Sequence, residues 1–221
     1  MKLVLTILAL GLCVPLMGAD KKKPLPAAIT ALKAEAEKGD AKAQNTLGSA
    51  YRFGLRIPVN FKEAMKWYRV AAAQGNVDAQ YSVGAMFTKA EGVAKDDREA
   101  VKWWRKAAQQ GHALSQYLLG YAYQYGEGVL EDDKEAVKWY QKAADQGLAE
   151  AQSSLGVMYA YGEGVPKDFK EAVKWFRKGA DQGHAGAQLN LGGRYDFGHG
   201  VPEDDVTAYA WYNISAANGN V

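Results

Sequence analysis

Five tryptophans fall at residues 67, 103, 139, 175 and 211, and every step is 36 residues. Gly48, Gly84, Gly120, Gly156 and Gly192 keep the same step. So do Gly39, Gly75, Gly111, Gly147, Gly183 and Gly219. A fixed period of this size leaves little choice of architecture. Each unit is one supersecondary element that cannot bury its apolar face alone, so neighbours must stack into a quasi-one-dimensional array.

One unit shows how the array is built. In AQSSLGVMYAYGEGV, from Ala151 to Val165, apolar residues at Ala151, Leu155, Met158 and Tyr159 define one face of a helix, here called helix A. Gly162 and Gly164 stop it and Pro166 reinforces the break. Asp168 stands three residues before Glu171, the spacing of a helix N-terminus in which the aspartate caps and the glutamate answers. Helix B follows, with Ala172, Trp175, Phe176, Gly179 and Ala180 as its buried side, and Gly183 ends it. Asp96 with Glu99 and Asp132 with Glu135 repeat the cap, Asn60 with Glu63 varies it, and Asp204 with Thr207 leaves it incomplete.

The periodic tryptophans, Trp103 among them, are expected in the core. The neighbouring slot, filled by Tyr68, Trp104, Tyr140, Phe176 and Tyr212, is expected to pack between units. The units run 43–78, 79–114, 115–150, 151–186 and 187–221, preceded by a half-unit over 26–42 whose helix closes at Gly39.

The phrases LG, Y, GxGV, EA-x-KW and QG, repeated in register from Ala43 to Gly219, closely resemble the Sel1-like repeat, a relative of the tetratricopeptide repeat. The resemblance implies an all-α, right-handed α-solenoid of helix-turn-helix units with a concave groove. It also implies a protein-interaction scaffold, often exported in bacteria. Two units depart from the pattern: Arg56 replaces the second loop glycine of the first unit, and Ala90 the first loop glycine of the second. These two loops are expected to be looser or differently bent.

The chain before the array reads as a signal peptide over 1–19. It has Lys2, an apolar run from Leu3 to Val14, the breaker Pro15, and Gly18 and Ala19 before a cleavage site near Ala19. A charged lead-in covers 20–25. The run is too short to span a bilayer as a helix, so a mature form without a transmembrane span and a secreted or periplasmic location are expected, with an uncleaved anchor as the alternative reading. The one cysteine, Cys13, lies in this leader, which leaves no thiol in the mature chain.

Function in such an array is expected where the units vary and are exposed. On helix A the positions opposite the core face hold Asn45, Ser49, Arg52 and Phe53 in the first unit, then Tyr81, Ala85, Thr88 and Lys89. The third unit has Tyr117, Tyr121, Gln124 and Tyr125. The fourth has Ser153, Val157, Ala160 and Tyr161, and the fifth Leu189, Gly193, Asp196 and Phe197. By analogy with tetratricopeptide arrays these line the concave groove. Asn45, Arg52, Tyr81, Tyr117, Tyr121, Gln124, Tyr125 and Tyr161 are the candidate partner-binding residues. Tyrosine offers large contact area at low entropy cost and one polar tip. Tyr81 and Tyr117 could instead serve packing between units.

Other chemistry finds little support. The net charge of +2 exerts no general pull on nucleic acid, and acids interleave with the lysines of helix B. No metal-ligand spacing, Walker-type phosphate loop or activated-serine motif occurs, so no cofactor and no metal are expected. His112, His184 and His199 read as polar surface choices. The alternative is a β-lactamase-like or cell-wall-binding activity, described for cysteine-rich relatives of this family. Those carry paired cysteines in each repeat, which this chain lacks. The expected partner is a protein or peptide, or a component of the cell envelope.

Overall fold

The computed structural model describes residues 26–219. The leader, its cleavage site and Cys13 lie outside the described residues. Within them the chain is all helix: α1 (Ala27–Glu37), α2 (Ala41–Phe53), α3 (Phe61–Ala73), α4 (Val77–Thr88), α5 (Asp97–Gln109) and α6 (Ala113–Tyr125), then α7 (Asp133–Asp145), α8 (Ala149–Tyr161), α9 (Phe169–Asp181), α10 (Ala185–Asp196) and α11 (Asp205–Ala217). Each helix packs on the one before and the one after. Even-numbered helices are the A helices, and α1 with the later odd-numbered helices are the B helices.

The glycine at the centre of helix A explains why the period is so strict. The ring in the aromatic slot of helix B lies flat against it. A methyl group at Gly48, Gly120, Gly156 or Gly192 would stand 2.6–2.8 Å from the ring of Tyr68, Tyr140, Phe176 or Tyr212, and Gly84 is covered likewise by Trp104. Real carbons do not approach so closely, so each glycine and ring specify one another. Tyr68, Tyr140 and Phe176 are accordingly among the most deeply buried side chains.

The loops are set by backbone geometry. Gly126 and Gly162 end α6 and α8 in the left-handed region. The residue after each then bonds five back, Glu127 N–H to the Ala122 carbonyl and Glu163 N–H to that of Met158. Gly128 is at φ 73°, and a Cβ there would collide with the Asp97 backbone of the preceding unit. Arg56 and Ala90 hold the same left-handed conformation, at φ 63° and 54°. Their loops are therefore not differently bent: the stacked array imposes the bend and the backbone at these two residues bears the strain.

Every B helix after α1 starts on a side-chain cap. The carboxylates of Asp96, Asp132, Asp168 and Asp204 and the amide oxygen of Asn60 each accept from the N–H three residues on. The returning half of the capping box differs from expectation. Glu99, Glu135 and Glu171 face Lys102, Lys138 and Lys174 one turn ahead. Those lysines are exposed and capture the carboxylates in solvent.

The tryptophans also need one correction. Trp67, Trp139 and Trp175 are buried, Trp211 is only partly so, and so is Trp103. The ammonium of Lys106 stands 4.1 Å from its ring centre, as Lys142 and Lys178 do over Trp139 and Trp175 at 4.1 and 3.8 Å. These lysines shield the outer faces of rings that the next helix leaves open.

Candidate functional site

Between units the polar groups are organised by a glutamine ladder. Gln44, Gln80, Gln116, Gln152 and Gln188, one per A helix, are buried. Each donates its side-chain amide to a carbonyl of the preceding B helix, those of Ala36, Ala72, Ala108, Ala144 and Ala180, at 3.0–3.2 Å. Each also accepts from the end of the following B helix, from Gln74, Gln110, Gln146, Gln182 and Asn218, at 2.7–3.0 Å. A buried amide must be satisfied, and here one side chain ties three helices.

The histidines belong to this framework rather than to chemistry or a polar surface. His112 and His184 are the N-cap residues of α6 and α10, their Nδ1 atoms accepting from the N–H groups of Ser115 and Ala187. Asp40 and Asn76 do the same for α2 and α4. Burial lowers the pKa of His112, against the opposing pull of Asp78, and so favours the neutral ring that a cap requires. His199 stacks flat on Phe169, with ring centres 4.4 Å apart. Among the described residues no three His, Cys, Asp or Glu side chains gather closely enough to hold a metal ion.

The helix-A face divides the eight candidates into two groups. Tyr81 is half-buried and tilts onto His112 at 5.1 Å. Tyr117 is half-buried, tilts onto Tyr140 at 5.7 Å, and has its phenol pKa raised chiefly by burial. Arg52 is buried, paired with Glu91 of the next unit at 2.7 Å. Asn45 is half-buried, its carbonyl oxygen enclosed. Tyr81 and Tyr117 are placed inside contacts within their own units, Arg52 inside a contact between units, and the Asn45 carbonyl oxygen is buried without a hydrogen-bond partner among the described residues.

Tyr121, Gln124, Tyr125 and Tyr161 come together on the outside. The rings of Tyr121 and Tyr125 stand 4.5 Å apart and both are exposed, as is Tyr161, at 65%. Gln124 is anchored below them, accepting from the Tyr140 hydroxyl at 2.8 Å and reaching Glu163 of the next unit at 3.4 Å. A cavity of about 340 Å³ opens between the ends of α6 and α8 and the start of α7, lined by Gln124, Tyr125, Val157, Tyr161 and the carboxylates of Glu131, Asp133 and Glu163. Phe53 and Phe197 continue the exposed aromatic row, at 62% and 63%. Their place opposite the core face was visible in the spacing, but their exposure depends on what the next unit brings alongside.

A stack of paired helices, held by repeated seams and offering one variable face, defines an interaction solenoid by architecture. The chain belongs to the Sel1 repeat family, whose model matches residues 41–76, 77–112, 113–148, 149–184 and 185–220. Each of these units begins at the first residue of an A helix.

Among solved structures the chain resembles the protective antigen c5321 of uropathogenic Escherichia coli strains, which displays an SLR fold. The identity is 40% and the TM-score 0.84, over 87% of this chain and 41% of that one. A Sel1 repeat protein from Oxalobacter formigenes is likewise 40% identical, with a TM-score of 0.83, covering 88% of this chain and 80% of the other. The immunity protein PA5088 from Pseudomonas aeruginosa shares the fold alone, at 22% identity and TM-score 0.54, over 92% of this chain and 78% of its own. No curated protein matches the chain. This chain thus spans well under half the length of the E. coli antigen.

Proposed function

We propose that this chain is an exported scaffold that binds a protein or peptide along a concave face of its A helices, with the tyrosines of the third and fourth units at the centre of the contact. One observation carries the reading. Tyr121, Tyr125 and Tyr161 present large rings to solvent at neighbouring places, while Arg52, Tyr81 and Tyr117 on the same face are taken up in contacts within the array. Rigid helices hold these rings, so little ordering entropy is lost on binding.

Export rests on the leader pattern around Lys2, Leu3 to Val14 and Ala19. It is supported by the 40% identity with a protective antigen of uropathogenic Escherichia coli strains. No described helix is long and apolar enough to cross a membrane.

The test is a crosslinking pull-down from the cell envelope with the full chain, beside a variant carrying Tyr121→Ala, Tyr125→Ala and Tyr161→Ala. All three rings are exposed, so the variant is expected to unfold within about 0.5 kcal/mol per site of the parent. A partner captured by the parent and lost by the variant is the expected result. Equal capture would move the contact off this face.

A further inference from the structure

The cavity between the third and fourth units has a chemical character that the tyrosines alone do not give it. Its lining brings together the aromatic residues Tyr125 and Tyr161, the apolar Val157 and the acidic Glu131, Asp133 and Glu163. None of these three carboxylates forms an ion pair with a lysine or arginine among the described residues. The corresponding seam in the first two units is closed by Arg52 on Glu91. Gln124 occupies the place of that arginine and brings no charge, reaching Glu163 only through a neutral amide at 3.4 Å. Between the fourth and fifth units the loop carboxylate is replaced by His199, which stacks on Phe169 where the third unit has Asp133. Negative charge, open volume and exposed rings therefore coincide at one seam of the array.

A bare metal ion does not fit, because no three of these side chains converge within ligating reach among the described residues. The arrangement suits a longer cation, one that lays a flat or alkyl portion on the rings and meets the carboxylates at its tip. Glu163 is close enough to Tyr125 to contribute, after burial and Tyr121, to raising the pKa of that phenol.

We infer that this cavity is the subsite for an arginine side chain of the bound peptide, its guanidinium stacked on Tyr125 or Tyr161 and held by Glu163, Asp133 and Glu131. The inference rests on the proposed peptide-binding face and names what that face selects. A planar guanidinium can stack and donate several hydrogen bonds at once, which an ammonium cannot.

The probe is N-acetyl-arginine amide, titrated into the isotope-labelled full chain and followed by NMR, with N-acetyl-citrulline amide as the neutral isostere. Saturable shifts centred on residues 125, 157, 161 and 163 are expected for the arginine probe. About tenfold weaker binding is expected for citrulline, and a similar loss in a variant carrying Glu131→Gln, Asp133→Asn and Glu163→Gln. Equal binding of both probes, shifts centred elsewhere, or no saturable shift would overturn the inference, provided helical circular dichroism shows the chain folded. The same neutralised variant, run in the envelope pull-down, separates the two readings. If it keeps a partner that the tyrosine variant loses, the face stands and the arginine subsite falls. If the tyrosine variant also keeps that partner, the face itself falls.

Discussion

The seams between helices and the outward face of the A helices obey opposite rules. At a seam the same chemistry returns every 36 residues: glycine under a ring, and a buried glutamine between two neighbours. On the face, the position held by Tyr121 carries Ser49, Ala85, Val157 and Gly193 in the other units. A seam residue has its partners dictated by the adjoining helix, whereas an exposed face residue such as Tyr125 or Tyr161 meets mainly solvent. Substitutions at seams should move stability and leave selectivity alone, and substitutions on the face should do the reverse.

The sharpest way to break this contrast is at a loop glycine. Gly128→Ala meets both a left-handed backbone and the Asp97 carbonyl, so it is expected to cost about 3 kcal/mol or more in urea unfolding. Gly111→Ala has the same backbone sign, φ 91°, but nothing within 4 Å, and about 1–2 kcal/mol is expected. Equal losses would mean that the close approach between units contributes nothing.

A middle-sized effect is expected at the ladder. Gln116→Leu keeps the volume but leaves the Ala108 carbonyl without its side-chain donor, at a cost of about 1–3 kcal/mol measured by the same unfolding. A neutral outcome would show that the ladder is filler rather than a tie.

The smallest effect is expected at His112. Its folded pKa is lowered, so the fold binds fewer protons there than the unfolded chain. The stability it adds is present above the unfolded value, near pH 6.5, and is lost as the pH falls through the folded value. Thermal unfolding between about pH 7 and pH 5 should fall less in His112→Asn than in the parent, by under about 1 kcal/mol, since asparagine caps at any pH. An identical acid response in both would remove His112 as the cause.

Much of this contrast could be read from the sequence, for a physical reason. Positions repeated in register reveal themselves, so the helix pairs, the capping residues Asp96, Asp132 and Asp168, and the glycine loops all followed from spacing. Gln116 was also visible in every unit, yet its partners lie 8 and 30 residues away. Spacing shows that a residue recurs, not what it bonds. His112 follows a glycine turn like any polar residue, and only its Nδ1 contact shows it to be a cap.

The face was harder. Tyr117 and Tyr125 are the same residue type on the same side of α6, and they differ because Tyr140 lies beside one and solvent beside the other. Arg52 stands by spacing among the candidate binding residues, yet Glu91, 39 residues on, occupies it.

The glutamine ladder also bears on how such a chain can change in length. Every tie runs within a unit or to the adjoining one, and its chemistry is alike from one to the next. Duplicating or excising one internal unit of 36 residues therefore leaves every remaining tie with a partner of the right type. A gene can lengthen or shorten the array by recombination without inventing a single new contact. What changes is how many A-helix segments stand in line, and so how long the proposed binding face is.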